Sequence, residues 1–154
     1  MTGLRFINQK NSQEHRAKSE EQRAKSIKIK HKTIRNTMFR FENLEIWKKS
    51  IEIAEQLFDI ADELEKKKLY KFAEQLRGAA LSTPNNIAEG SGSNSKKEFI
   101  QFLNIAKRSC FENANMMILF EKRGYVKATI KQAILREIED LCRMISGFIK
   151  TLRD

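Results

Sequence analysis

The chain has 154 residues, 40% of them apolar and 32% charged, with a single proline and six glycines. So few breakers exclude an all-β sandwich or barrel, which needs a turn about every ten residues. The longest apolar run, Met116-Met117-Ile118-Leu119-Phe120, is too short to cross a bilayer.

Residues 1–30 hold no apolar stretch suited to a signal peptide, so the expected location is the cytoplasm. The net charge of +10 is unevenly spread. Residues 1–37 carry ten Lys or Arg against three Glu, a surplus of +7, whereas residues 38–154 carry twenty bases and seventeen acids, a surplus of +3. Within the first segment, Glu14-His15-Arg16-Ala17-Lys18-Ser19-Glu20 and Glu21-Gln22-Arg23-Ala24-Lys25-Ser26-Ile27 are near-copies seven residues apart. A heptad whose recurring apolar member is alanine cannot bury a coiled-coil seam. Residues 1–37 therefore read as a disordered or transiently helical basic arm. Three roles stay open for it: a grip on phosphate backbones, a solvated tail, or sequence ahead of a true start at Met38.

The folded pattern begins just after Met38. Leu44, Ile46, Trp47, Ile51, Ile53, Ala54, Leu57, Phe58, Ile60, Ala61 and Leu64 recur at three- and four-residue steps, which predicts a helix of roughly six turns with Asn43 as its N-cap. Its apolar face is wide, with the row Ile46, Ile53, Ile60 beside the row Trp47, Ala54, Ala61. Either another subunit covers the second row, or the helix is deeply buried within one protomer. Lys66-Lys67-Lys68 suits the negative end of its dipole.

A second helix follows with Leu69, Phe72, Ala73, Leu76, Ala79, Ala80, Thr83 and Ile87 on one face. The small run Gly78-Ala79-Ala80 should admit a close neighbour. Pro84 should kink this helix, because it lacks an N–H and crowds the Ala80 carbonyl. Gly90 and Gly92 are expected to end it. Ser95-Lys96-Lys97-Glu98 has the form of a capping box for a third helix. Its core stripe is Phe99, Phe102, Leu103, Ala106, Cys110, Asn113, Met117 and Phe120, and Gly124 stops it. The fourth carries Ile130, Ile134, Leu135, Ile138, Leu141, Cys142, Ile145, Phe148, Ile149 and Leu152. Four such helices with short loops predict an all-α, antiparallel up-down-up-down four-helix bundle over residues 39–152.

Phe41, Leu44 and Trp47, the stretch Gln75-Leu76-Arg77-Gly78-Ala79-Ala80-Leu81-Ser82-Thr83-Pro84-Asn85-Asn86-Ile87-Ala88-Glu89-Gly90, and then Lys97-Glu98-Phe99, Phe102-Leu103, Ala106, Ser109 and Glu112 carry a family resemblance. Together they resemble the bacterial four-helix bundle proteins encoded in 23S ribosomal-RNA intervening sequences, which are similar to the accessory variability determinant of diversity-generating retroelements. The resemblance covers about residues 39–152. It implies a homopentameric barrel, RNA or DNA as a partner, and a reverse transcriptase or other protein as a second one. The chain departs from the family pattern at Thr83, where an aliphatic is usual, and at Gly78, where a larger and often basic residue is usual.

Catalytic chemistry finds little support in the residues. The two histidines, His15 and His31, both fall in the arm, so the bundle lacks the usual general base and any Glu-x-x-His metal pair. Cys110 and Cys142, far apart and without a CxxC, read as buried small hydrophobes rather than as a disulfide or zinc framework. The expectation is no enzyme, no catalytic residue, no metal, no cofactor, no small-molecule substrate and no membrane partner. Arg77, Lys96, Lys97, Lys107 and Arg108 are the candidate nucleic-acid contacts, reading charge and shape because no aromatic stacking platform is evident. Trp47, Pro84, Asn86, Glu89 and Gly90 form the candidate structural or interface motif. Glu89, at a helix C-terminus, needs a compensating partner, either a buried contact with Asn86 or the 91–95 loop. The remaining alternative is a purely structural or protein-interaction module.

Overall fold

A computed structural model describes residues 39–154 as an all-α structure, with no strand among the described residues. The arm, its two histidines and the alternative start at Met38 lie outside them. A 3-10 turn, Arg40–Asn43, leads into α1 (Glu45–Lys66), followed by α2 (Tyr70–Ser91), α3 (Lys96–Lys122) and α4 (Ala128–Arg153). Each helix packs beside the next, and α1 closes against α4. The expected bundle forms.

The helix ends show which local signals were sound. Asn43 closes the 3-10 turn instead of capping α1; the cap position is the extended Leu44, which makes no side-chain cap bond. Ser95 does cap α3, its hydroxyl accepting from the Glu98 N–H at 3.1 Å. The α1 and α3 termini share one geometry. At α3, Gly124 has φ +71°, with the Gly124 N–H on the Glu121 carbonyl at 2.9 Å and the Tyr125 N–H on the Phe120 carbonyl at 2.8 Å. At α1, Lys68 has φ +62°, with its N–H on the Glu65 carbonyl at 2.8 Å and the Leu69 N–H on the Leu64 carbonyl at 3.0 Å. Both are Schellman motifs, but lysine pays a steric cost in the left-handed region that glycine does not. Lys68→Gly is expected to stabilise the bundle by about 1 kcal/mol, read as a higher urea midpoint at unchanged m-value.

The wide face of α1 finds its cover inside the protomer. Ile46, Ile53, Ala54, Leu57, Ala61 and Leu64 are buried, and Trp47 is half-buried against Phe41, with ring centroids 4.9 Å apart. A corner helix of a bundle has two neighbours, here α2 and α4, so one apolar row serves each. Ile60, in the same row as Ile46 and Ile53, stays only half-buried.

The α2–α3 pair is the closest packed. Gly92 is the C-cap of α2, as expected, whereas Gly90 lies buried in its last turn, where a Cβ would lie 2.6 Å from both Phe102 Cβ and Phe99 Cδ2. The helix runs unbroken through the buried Pro84. Gly78, in contrast, is exposed, and a Cβ would meet nothing within 4 Å. The close approach is therefore at Gly90 and not at Gly78. Polar contacts set the α2–α3 register: Ser82 Oγ lies 2.8 Å from Ser109 Oγ, and Asn113 Nδ2 donates to the Ala79 carbonyl at 3.1 Å.

The stripe on α3 is as expected except that Phe102 is half-buried, while Ser109 and Met116 are buried as well. On α4, Ile134, Ile138, Leu141, Ile145 and Ile149 are buried, whereas Ile130 is exposed.

Candidate nucleic-acid interface

In an up-down-up-down bundle the α1–α2 and α3–α4 connections come to the same end. Both are basic here, because each helix finishes on lysines or arginines that suit its negative pole. Lys66, Lys67, Lys68 and Lys71 are exposed on one side, and Lys122, Arg123 and Lys127 on the other. A hydrogen bond from Lys67 Nζ to the Tyr125 carbonyl, 3.2 Å, joins the two connections. Several acids on the adjoining turns are already engaged, Glu63 by Lys66 at 2.6 Å, Glu65 by Arg77 at 2.5 Å and Glu121 by Lys131 at 3.6 Å, whereas Glu74 near the start of α2 is exposed. Lys67, Lys68, Lys71, Lys122, Arg123 and Lys127 have no ion-pair partner among the described residues.

The same end holds both tyrosines of the chain. Tyr70 is 58% exposed, and Tyr125 packs on Phe72 and Phe120 with the Arg123 guanidinium 5.9 Å from its ring centroid. An exposed aromatic among unpaired cations is the composition of a single-strand or loop-binding surface. Sequence reasoning missed this cluster because each basic run had a sufficient local explanation as a helix terminus. The signal that could have found it is topological: the loops after α1 and α3 share an end.

The residues singled out from the sequence do not form one patch. Arg77 spans α2 to α1, binding Asp62 at 2.6 Å and Glu65 at 2.5 Å, and these bonds hold its guanidinium above its usual range. Lys107 donates to Ser146 Oγ at 2.9 Å on α4. Lys96 and Lys97 stand exposed at the first turn of α3, at the opposite end of the bundle from Lys67, and Arg108 is exposed three turns further along. Within the proposed interface motif, Asn86 Nδ2 donates to the Ser82 carbonyl of its own helix at 2.7 Å. Glu89 is exposed and has no side-chain partner among the described residues. Neither the Asn86 contact nor a side-chain bond to the 91–95 loop is formed within the protomer.

Beside the basic end, α1 and α4 part to leave an open groove of about 690 Å³. Ile60, Val126, Ile130 and Ile134 form its apolar wall, and Asp59 and Glu63 line its rim. Past the groove, Glu137 of α4 accepts from Lys49 Nζ at 2.8 Å and from Gln56 Nε2 at 3.1 Å on α1. The Lys49 bond holds the Glu137 carboxyl below its usual range.

A depressed carboxylate stabilises the fold fully above its unfolded pKa, about 4.3, and loses that contribution as pH falls through the lower folded value. Glu137→Gln is expected to cost about 1 kcal/mol at neutral pH and to flatten the acid limb of the stability profile below about pH 4.3. Thermal melts of both proteins from pH 7 to pH 3 check this.

The helical architecture can be compared with known proteins. The family model for the 23S rRNA-intervening sequence protein matches residues 42–147. The chain belongs to this family. The family match takes in all of α1, α2 and α3 and most of α4, and leaves out the arm. A solved structure with the same fold is a protein of unknown function from the S23 ribosomal protein family of Bacteroides thetaiotaomicron, determined at 1.70 Å. It aligns with a TM-score of 0.65 and 23% identity, over 68% of this chain and 98% of that one. No curated protein matches. Among the described residues no helix is long and apolar enough to cross a membrane, and no group of three or more metal-capable side chains occurs.

Proposed function

We propose that this member of the intervening-sequence family is a non-enzymatic, self-associating bundle that binds structured nucleic acid through its basic end. One observation carries the reading: six exposed cations, none with an acidic partner among the described residues, lie at the bundle end that holds Tyr70 and Tyr125. Such a surface recognises phosphates and unstacked bases without a base-specific code. The absence of histidine from residues 39–154 fits a binding role, since no ordinary general base is present. Assembly into a homopentamer would present five basic ends together, and multivalency raises affinity without any new contact. An accessory role beside a reverse transcriptase or another protein fits a module that supplies charge and shape.

The test is fluorescence anisotropy with a structured RNA and the matching DNA, using the full chain and residues 38–154 at low and moderate salt. Salt-dependent binding by the shorter chain supports the reading. Binding by the full chain alone assigns the affinity to the arm.

A second reading, a protein-assembly module with no nucleic-acid role, is favoured by one feature of α3. Lys107, Phe111, Ala114, Ile118 and Glu121 form the stripe bordering α4, and Phe111 is 66% and Ile118 41% exposed. Large apolar side chains on one flank suit a second copy of the chain. Sedimentation of Phe111→Glu separates the two readings: loss of assembly with retained RNA binding leaves the basic end as the nucleic-acid module.

A further inference from the structure

Cys110 and Cys142 are 32 positions apart in the chain, yet the fold brings them face to face. The register of α3 against α4 is fixed by two independent contacts, Lys107 Nζ to Ser146 Oγ at 2.9 Å and Glu121 to Lys131 at 3.6 Å. These pairs bracket the cysteines and set them level, both equally distant along the chain from Val126. The two sulfurs are thereby neighbours across the α3–α4 seam. Packed helices with axes about 8–10 Å apart and Cα radii of about 2.3 Å bring facing Cα atoms within the span that a disulfide bridges.

The two sulfurs are not equivalent. Cys110 is 2% exposed, with Thr83 Oγ1 3.8 Å from its sulfur, and the neighbouring Cys142 together with burial pushes its thiol up. Cys142 is half-buried at the edge of the seam. The neighbouring Cys110 thiol and the Lys107 ammonium draw it down to about 7, against burial and the Glu139 carboxylate. Cys142 is thus the reachable sulfur, and Cys110 is the buried one held level with it. That is the division of labour between an attacking and a resolving cysteine.

We propose that Cys110 and Cys142 are a redox-active dithiol that closes into a disulfide across the α3–α4 seam when the protein meets a peroxide. The Cys142 thiolate attacks one peroxide oxygen; the S–O bond forms, the O–O bond breaks, and hydroxide leaves. The Cys110 sulfur then attacks the resulting sulfenic acid, the S–S bond forms, and the sulfenic hydroxyl departs as water with the Cys110 proton. Two sulfurs are oxidised by two electrons, and one peroxide is reduced to water and hydroxide. A dithiol reductant reverses the bond. Peroxide is small enough to reach a half-buried sulfur, so the reaction does not require the seam to open.

The test treats the full chain with an equimolar amount of hydrogen peroxide, alkylates with iodoacetamide and measures the intact mass. The expected product is a monomer lighter by about 2 Da that takes up no alkyl group, and dithiothreitol restores both reactive thiols. In Cys110→Ser the sulfenic acid on Cys142 has no resolving partner and is captured by dimedone, whereas Cys142→Ser leaves Cys110 unoxidised. The proposal is overturned if the unmutated protein retains two alkylatable thiols after peroxide. It is overturned equally if its only disulfide joins two chains. Neither of these outcomes depends on a variant folding.

Discussion

Gly90→Ala is expected to lower the unfolding free energy of the bundle by about 2–3 kcal/mol, because Gly90 is the tightest of the described glycines. The added Cβ would sit 2.6 Å from Phe102 Cβ and 2.6 Å from Phe99 Cδ2. Phe102 Cβ is fixed to its backbone and cannot withdraw. The Phe99 ring is buried and packed edge-on against Phe148, with centroids 5.6 Å apart. The strain can be relieved only if α2 and α3 move apart, which loosens the contacts on either side. Thermal denaturation followed by circular dichroism measures the loss. Gly78→Ala supplies the internal control, because a Cβ there enters open space and replaces the most flexible residue in a helix interior. That variant should gain about 0.5–1 kcal/mol. Equal melting temperatures for the two variants would refute the close approach at Gly90.

The second large effect concerns binding. In residues 38–154, replacing Lys67, Lys68, Lys71, Lys122, Arg123 and Lys127 with glutamine is expected to abolish salt-dependent RNA binding. Six phosphate contacts correspond to a slope of about −5 in log K against log salt on duplex geometry, or about 10³ in affinity between 50 and 200 mM. Each cation removed should take about one unit from that slope. Neutralising Lys96, Lys97, Lys107 and Arg108 instead should leave most of the slope, because Lys107 is engaged with Ser146 and the others stand away from the joined loops. Comparable losses in both variants would point to a diffuse basic surface rather than a basic end.

The fold was legible because helical periodicity is a local property, carried by residues three and four positions apart. Ser95 and Gly124 announced their helix ends for the same reason: each is the residue type that its geometry prefers. Lys68 did not, since nothing in a run of three lysines signals a left-handed conformation. Asn43 misled because a good N-cap residue sat one position before the extended one. Gly90 and Gly78 show the limit most sharply. The two are alike in sequence, both glycines inside one helix, and only the position of α3 makes one indispensable and the other replaceable. The nearness of the two cysteines was hidden for a related reason, as it depends on helix register rather than spacing. Reflecting the sequence about the turn near Val126 would have revealed it. The basic end was hidden by sufficient local explanations, its residues accounted for one helix terminus at a time.

The groove between α1 and α4 bears on the order in which the molecule assembles. These are the first and last helices of the bundle, so the contacts joining them close the longest loop in the described chain, and that entropy is recovered only after the hairpins between have formed. Their seam is held at the side by Glu137 with Lys49 and Gln56, and at the basic end by Lys67 with the Tyr125 carbonyl. The α2–α3 hairpin, with Gly90 pressed against Phe99 and Phe102, closes a much shorter loop, so loop-closure entropy favours its forming before the α1–α4 seam. The loops that carry the basic end therefore straddle the least committed boundary in the protein, where a bound nucleic acid that touched both would act as a strap across it.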